Sequence, residues 1–231
     1  KAVLCEKPLV TSKEDAVKLA QTARTNKTLL MEALWTRCLP SFQAARKWVQ
    51  ERKIGEIQLI TANFCRRTDY DPESRLFNPR LAGGSLLDLG VYPIGFTTGI
   101  LDEPPQSVAG YAKFAPSGVD EAAAITMTFA SGALANLSCG FNVTALRDAY
   151  IYGTNGYIHL DDCVAPHVCE LYDEDNNLLE RVEDVVLDGF VYQIQHFLSL
   201  YQNQKLESNL IPLKDSITIS GIFDDLQRQW S

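Results

Sequence analysis

The chain has 231 residues, 46% of them hydrophobic, and a formal net charge of -8 at pH 7. This length and apolar content allow a substantial hydrophobic core, in one large domain or two smaller ones. The acidic charge and the lack of a Lys/Arg cluster in the sequence argue against nucleic acid as a partner. No apolar run reaches the length of a membrane span. We therefore expect no membrane association and a cytoplasmic location.

The cysteines and histidines do not form ligand or disulfide patterns. Six cysteines are scattered without a CxxC pair, and most lie in apolar runs where cysteine behaves as a small hydrophobe. We expect buried free thiols, as is usual in a reducing compartment. The three histidines are far apart in the sequence, and none belongs to an HExxH-type pair. The sequence therefore predicts no metal site.

The first 35 residues predict a strand, a helix and a second strand. Residues 2–5 and 28–34 are apolar runs, and between them Thr11 or Ser12 can cap a helix. Strands that are continuously apolar are typical of a parallel sheet covered by helices on both faces. A three-layer fold needs several such units of about 30 or more residues each. We therefore expect the chain to begin partway through a larger parallel α/β domain.

Beyond residue 35 the pattern changes to that of an α+β domain. An alternating strand at residues 56–66 lies between two predicted helices, at 41–52 and 85–101. Six short strands between residues 107 and 173 follow, separated by hairpin signals such as Asn155-Gly156, and two helices close the chain. Residues 36–231 therefore predict a domain built on a large, mainly antiparallel open sheet.

Glu6, Lys7 and Pro8 directly follow the first predicted strand. Open α/β sheets bind ligands beyond the carboxyl ends of their strands, so Lys7 lies where a ligand is expected. Pro8 restricts the backbone and favours an abrupt turn that would hold Lys7 over a cleft. A surface lysine paired with a nearby acid explains this position equally well.

A second candidate is the segment GGSLLDLGVYP at residues 83–93. If Ser85 caps this helix, Asp88 and Tyr92 are four residues apart and share one face. Ser85 and Asp88 also match a capping box, and Tyr92 also fits an ordinary core tyrosine. Pro93 lacks an N–H donor and is expected to bend the helix after Tyr92. The segment alone does not decide between catalysis and structure.

Together, EKP, GGSLLDLGVYP and the GTNG turn at residues 153–156 resemble the Gfo/Idh/MocA oxidoreductase family, especially its dihydrodiol dehydrogenase-like branch. EALWTR at 32–37 and GFVYQIQHF at 189–197 extend the resemblance over essentially the whole chain. It implies the C-terminal part of a Rossmann domain at residues 1–35 and a substrate-binding and dimerisation domain, like that of glucose-fructose oxidoreductase, at 36–231. The implied activity is hydride transfer between NAD or NADP and a sugar, polyol or diol.

The resemblance also implies roles for individual residues. Lys7, Asp88 and Tyr92 match the catalytic positions of the family. The implied cofactor-binding residues are Glu6, Lys7, Pro8, Trp35 and Arg37. An ammonium near a phenol favours the phenolate, so Lys7 is expected to make Tyr92 a usable base, while Asp88 orients Lys7 or the substrate. Whether Lys7 or Tyr92 exchanges the proton stays open, as does the choice between NAD and NADP.

The sequence departs from the family in one respect. The glycine-rich turn G-x-G-x-x-G and the residue beyond it that reads the ribose do not occur. Either the 231 residues belong to a longer polypeptide that supplies this turn, or they act alone. In the second case we expect them to bind dinucleotide poorly and to be inactive. Because family members commonly dimerise through the open sheet, a homodimer is expected. The alternatives are a non-catalytic regulator that senses sugars or nucleotides and, for this chain alone, a dimerisation module.

Overall fold

The computed structural model describes residues 1–184 and 188–230. The strands in these residues are β1 (Val3–Cys5), β2 (Leu30–Glu32), β3 (Ile57–Cys65), β4 (Pro105–Phe114), β5 (Asp120–Phe129), β6 (Leu134–Gly140), β7 (Ala149–Gly153), β8 (Gly156–Leu160), β9 (Val168–Tyr172) and β10 (Leu178–Glu183). The α-helices are α1 (Lys13–Thr25), α2 (Pro40–Gln50), α3 (Val91–Leu101), α4 (Phe190–Gln202) and α5 (Leu213–Trp230).

The N-terminal region forms the predicted parallel βαβ unit. Strands β1 and β2 pair in parallel, and α1 is the crossover between them. The Ser12 hydroxyl caps α1 by accepting the Asp15 backbone N–H at 3.2 Å. The helix buries a stripe of alanines (Ala16, Ala20 and Ala23), and it packs against α5. Small side chains on this stripe allow the two helices to approach closely.

A single eight-stranded sheet forms the larger part of the molecule. Its strand order is β10-β9-β8-β7-β3-β6-β5-β4. The β3–β6 pair is parallel and the other neighbouring pairs are antiparallel. The mainly antiparallel sheet predicted from the sequence is therefore confirmed. Strand β3 lies inside the sheet, where Ile60, Ala62 and Phe64 alternate as buried residues.

Helices cover one face of this sheet. Helix α2 contacts β8, β9 and β10, α3 contacts β3 and β6, and α5 contacts β4. Nine of the eleven residues of α3 are buried, because this helix lies between the sheet and the helices α2 and α5. The opposite, outer face presents polar residues such as Thr126 and Asn136, and the described residues place no helix over it.

Three further features concern the described part of the chain. Strand β10 extends the sheet at an edge where no strand was predicted. None of the helices within the described residues combines the length and apolar character required to cross a bilayer. All six cysteines are free thiols, five of them buried.

Candidate active site

The turn that carries Lys7 is anchored to the neighbouring strand. Strand β1 ends at Cys5, and the chain turns through Glu6, Lys7 and a cis peptide bond to Pro8. The backbone N–H of Leu9 then donates a 2.8 Å hydrogen bond to Oε1 of Glu32, the last residue of β2. The predicted turn beyond the carboxyl end of a parallel strand is therefore present.

The segment that carries Asp88 and Tyr92 begins at Gly84, whose φ of 121° suits glycine. A Cβ atom there would lie 2.3 Å from Oδ1 of Asp120, so this position also requires the smallest residue. Residues Leu86–Gly90 form a π-helical turn that continues into α3. The segment thus presents Asp88 one turn before Tyr92, and both side chains are half-buried.

The helix start is capped by a residue that the sequence pattern did not identify. Ser85 was expected to be the cap, but its side chain makes no capping hydrogen bond. Instead, the carboxylate of Asp120 from β5 accepts the Leu86 N–H at 2.6 Å and the Ser85 hydroxyl at 2.8 Å. Pro93 is the third residue of α3 and follows directly after the π-helical turn.

Lys7, Asp88 and Tyr92 meet at one point. Lys7 Nζ donates to the backbone oxygen of Asp88 at 2.7 Å and lies 3.2 Å from its Oδ1. The same Nζ lies 4.8 Å from the centroid of the Tyr92 ring. Arg75, on the loop between β3 and the helix segment, donates to the same Oδ1 at 2.9 Å. The structure therefore brings the three predicted catalytic side chains together and adds a guanidinium that the sequence analysis did not single out.

The environment of Tyr92 keeps its phenol protonated. Burial raises the pKa of the phenol, the Trp35 indole lowers it, and the Glu6 and Asp88 carboxylates raise it. The net effect is a pKa above the ordinary value of 10. The Trp35 indole N–H does not reach the geometry of a full hydrogen bond to this oxygen. Lys7 faces the ring and pairs with Asp88, an arrangement different from the expected ammonium that stabilises a phenolate. Tyr92 is therefore protonated at neutral pH.

Aromatic rings line the space around these groups. Phe64 of β3 packs its edge against the Tyr92 ring with centroids 5.6 Å apart, and Arg147 lies 5.4 Å from the Phe64 centroid. Trp35 packs against Phe190 of α4 with centroids 4.8 Å apart. Sequence reasoning missed Phe64 and Phe190, because the alternation of β3 and the apolar pattern of α4 do not distinguish them from core residues.

Arg37, for which the resemblance implies cofactor binding, is buried in the structure. Its side chain is 1% exposed and bonds to the Gly95 backbone oxygen at 2.9 Å, the Thr98 hydroxyl at 2.9 Å and Asp215 at 2.5 Å. These contacts join the segment after β2 to α3 and α5. We therefore assign Arg37 to the packing of the core, because its guanidinium is committed to these partners.

The remaining predicted cofactor residues surround the Lys7 turn. Glu6 is exposed and close enough to affect the Tyr92 phenol, whereas Pro8 and Trp35 are half-buried. The Trp35 indole N–H is buried and has no hydrogen-bond partner among the described residues. A buried donor of this kind is satisfied when a polar group binds beside it. The residues present therefore fit the nicotinamide end of a dinucleotide.

Comparison with known sequences agrees with this architecture. Residues 42–159, half of the chain, match the GFO/IDH/MocA C-terminal domain. The chain is 30% identical over 241 residues to a trans-1,2-dihydrobenzene-1,2-diol dehydrogenase from Xenopus tropicalis, covering 99% of this chain and 71% of the relative. It is 29% identical over 239 residues to the scyllo-inositol 2-dehydrogenase (NADP(+)) IolU of Bacillus subtilis, covering 99% of this chain and 70% of the relative.

Solved structures show the same fold. An aldose-aldose oxidoreductase from Caulobacter crescentus, complexed with glycerol, superposes with a TM-score of 0.86 at 19% identity, covering 99% of this chain and 71% of that chain. A 3-ketoreductase from Actinomadura kijaniata, in complex with NADP and TDP-benzene, superposes with a TM-score of 0.85 at 23% identity, covering 99% of this chain and 70% of that chain. The fold is thus that of a class of oxidoreductases. More specifically, the chain belongs to the GFO/IDH/MocA family.

Proposed function

We propose that the protein is an NAD(P)-dependent oxidoreductase that transfers a hydride between the nicotinamide cofactor and a sugar, polyol or diol. The observation that carries this proposal is the contact of Lys7 with Asp88 and with the Tyr92 ring. We call the surroundings of these three side chains the crevice. Related proteins named as dehydrogenases of a dihydrodiol and of scyllo-inositol support the class of substrate. Either NAD or NADP fits the residues described.

Each catalytic residue has a distinct task in this proposal. The nicotinamide supplies or accepts the hydride when it is bound. In the direction of reduction, Tyr92 donates its phenolic proton to the substrate oxygen. Lys7 has three N–H donors, and the one not used on Asp88 bonds the same oxygen and stabilises the negative charge that develops there. Oxidation of the alcohol uses the same groups in reverse.

Asp88 and the cofactor-side residues complete the site. The Asp88 backbone oxygen and carboxylate hold the Lys7 ammonium in place. Glu6, Pro8 and Trp35 lie around Lys7, on the side where the nicotinamide would bind. In this proposal residues 1–35 belong to the dinucleotide-binding unit and residues 36–231 form the substrate-binding unit, so the crevice lies between them.

The decisive experiment replaces Lys7 by Met and Tyr92 by Phe. It uses the extended chain, meaning the polypeptide with every residue that its coding sequence adds to these 231. We expect each variant to lower kcat by about 10²- to 10⁴-fold, because each removes one polar group from the reacting oxygen. Turnover is measured by nicotinamide absorbance over a panel of sugars, inositols and diols.

Matched controls are Lys18→Met and Tyr201→Phe, which alter an exposed lysine and an exposed tyrosine away from the crevice. Both controls should retain the activity of the unchanged protein. Normal turnover in Lys7→Met and Tyr92→Phe would reject the site. Tight cofactor binding without turnover of any substrate would instead favour a sensing protein.

The outer sheet face supports a homodimer as a further part of the proposal. We define the tyrosine face as the set Tyr150, Tyr152, Tyr157, Tyr172 and His159 on β7, β8 and β9. Its rings contact one another, with centroids 4.8 Å apart for the Tyr157–Tyr172 pair and 5.6 Å apart for the Tyr150–Tyr152 pair. Tyrosine is enriched in protein interfaces because its apolar ring also carries a polar hydroxyl. A second copy of the chain is the proposed partner.

We also propose a reducing compartment such as the cytoplasm. The support is the set of six cysteines, which are all free thiols. Fractionation of cells that express the extended chain checks this location, and recovery in an oxidising compartment would contradict it.

A further inference from the structure

Glu32 is a buried carboxyl group next to the proposed site that the mechanism so far does not use. It ends β2 and is 1% exposed. Its Oε1 accepts the backbone N–H of Leu9 at 2.8 Å, whereas its Oε2 has no hydrogen-bond partner among the described residues. The carboxyl group therefore makes its clear contact with the turn that carries Lys7.

The surroundings of Glu32 connect it to the same turn electrostatically. Burial raises the pKa of this carboxyl group, and the Ser216 hydroxyl, the Leu9 N–H, Arg37 and Lys7 oppose that increase. Lys7 is thus near enough to act on the Glu32 charge. An apolar residue at this strand end would avoid the desolvation cost of a buried carboxyl group. The geometry therefore points to a use for the acceptor at this position.

We propose that Glu32 is a positioning residue: by accepting the Leu9 N–H, it fixes the turn that holds Lys7 Nζ against Asp88 and over the Tyr92 ring. This inference rests on the proposed function. Leu9 is two residues from Lys7, so a bond at its N–H restricts the backbone from which the ammonium extends. A displacement of about 1 Å at a reacting group lowers a rate by about 10²-fold.

Two variants separate the hydrogen-bond acceptor of Glu32 from its negative charge. Glu32→Gln keeps an oxygen that accepts the Leu9 N–H and replaces the other oxygen by an amide nitrogen. The Ser216 hydroxyl, which lowers the pKa of the Glu32 carboxyl group, lies beside it and gives that nitrogen an acceptor. Glu32→Met has a similar length and no acceptor for the Leu9 N–H. The glutamine variant should therefore rescue the function that methionine removes.

The test uses the extended chain and two measurements. We expect Glu32→Met to lower kcat by about 10- to 100-fold with KM changed by less than about threefold, and Glu32→Gln to keep kcat within about threefold. The second measurement needs no cofactor. The rate at which trinitrobenzenesulfonate modifies the Lys7 amine, followed by peptide mass spectrometry, should rise severalfold in Glu32→Met and stay unchanged in Glu32→Gln.

A control separates positioning from a general loss of stability. Met31→Ala removes a fully buried side chain from the same strand, so it lowers Tm without touching the Lys7 turn. It should retain kcat and Lys7 reactivity in the folded protein. If Glu32→Met does not fold, Glu32→Ala takes its place with the same expectations.

Two outcomes are decisive. Unchanged kcat and unchanged Lys7 reactivity in the folded methionine or alanine variant would overturn the positioning role. Loss of activity in Glu32→Gln equal to that in Glu32→Met would also reject it, because the acceptor would then not be the feature that matters. Normal activity in Lys7→Met would reject the proposed function instead, while the amine modification would still report on Glu32.

Discussion

The crevice around Lys7 and the tyrosine face both combine aromatic rings with charged groups, but their polar groups differ in how well they are satisfied. In the crevice, the Trp35 indole N–H is buried and unpaired among the described residues, and burial raises the pKa of Tyr92. On the tyrosine face, His159 lies between two carboxylates, 2.8 Å from Asp148 and 3.3 Å from Glu170.

Glu170 shows this contrast most clearly. It accepts hydrogen bonds from the Tyr172 hydroxyl at 2.9 Å and from Arg181 at 2.8 Å, in addition to its contact with His159. Burial raises the pKa of Glu170, but the bonds from Tyr172 and His159 outweigh burial and lower it. We propose that chemistry takes place in the crevice, where the buried Trp35 N–H lacks a partner among the described residues, and that the tyrosine face serves association.

After Lys7→Met and Tyr92→Phe, the largest expected effect is at Asp88. Asp88→Asn keeps the backbone oxygen that binds Lys7 but removes the charge that faces the ammonium. We expect kcat to fall by about 10²-fold, or about 3 kcal/mol in the barrier. Steady-state kinetics of the extended chain check this. The control is Asp184→Asn, because Asp184 accepts a hydrogen bond from Tyr192 and not from Lys7. An unaltered kcat would remove the catalytic distinction between the two regions.

A smaller effect is expected on association. Tyr157→Glu places a charge in the middle of the tyrosine face and should weaken the dimer by about 2 kcal/mol, the scale of an interface hot spot. Sedimentation velocity at several concentrations measures the dissociation constant, and Tyr201→Glu on α4 is the control. We expect kcat of the variant to stay near that of the unchanged protein. A monomer at all concentrations for the unchanged protein would contradict the assignment.

The next prediction concerns buried cysteines of the core, whose raised pKa values make the stability of the fold depend on pH. Burial raises the pKa of Cys38, in the core, and of Cys139, in the sheet, to about 12 from an ordinary value near 9. Above pH 9 the unfolded thiols lose protons that the folded ones keep, so stability is full below pH 9 and is lost as pH rises towards 12.

At pH 10 this effect is about 1 kcal/mol for each thiol. Urea unfolding at pH 8 and pH 10 measures it, and Cys139→Ala should reduce the difference between the two pH values by that amount. An equal pH dependence in Cys139→Ala and the unchanged protein would show that this thiol does not contribute.

The smallest effect is expected for Arg75. Its side chain is 68% exposed, so the salt bridge to Asp88 is screened by solvent. Arg75→Gln should change the free energy of unfolding by less than about 1 kcal/mol and kcat by only a few-fold. Arg75→Lys is the conservative comparison. A loss of activity as large as that of Lys7→Met would contradict this expectation and would add Arg75 to the proposed catalytic residues.

Local sequence patterns were sufficient for much of the fold. The apolar runs around a capped helix predicted β1, α1 and β2, and Ser12, one of the two candidate caps, is the residue that caps α1. Hairpin signals placed most strands of the sheet. Strand β10 was missed, since Leu178 and Leu179 are exposed at the sheet edge and its residues lack the alternation of a half-buried strand. Its position depends on pairing with β9, which is a tertiary interaction.

The sequence by itself determined most of the elements, their order and the family motifs that contain Lys7, Asp88 and Tyr92, because these follow from local periodicity and short motifs. Only the tertiary structure decided that Asp120 caps the Asp88 segment and that Arg37 is buried in the core. It also decided that Lys7 faces the Tyr92 ring and pairs with Asp88. Each of these contacts joins residues far apart in the chain, and their geometry depends on how the strands and helices pack.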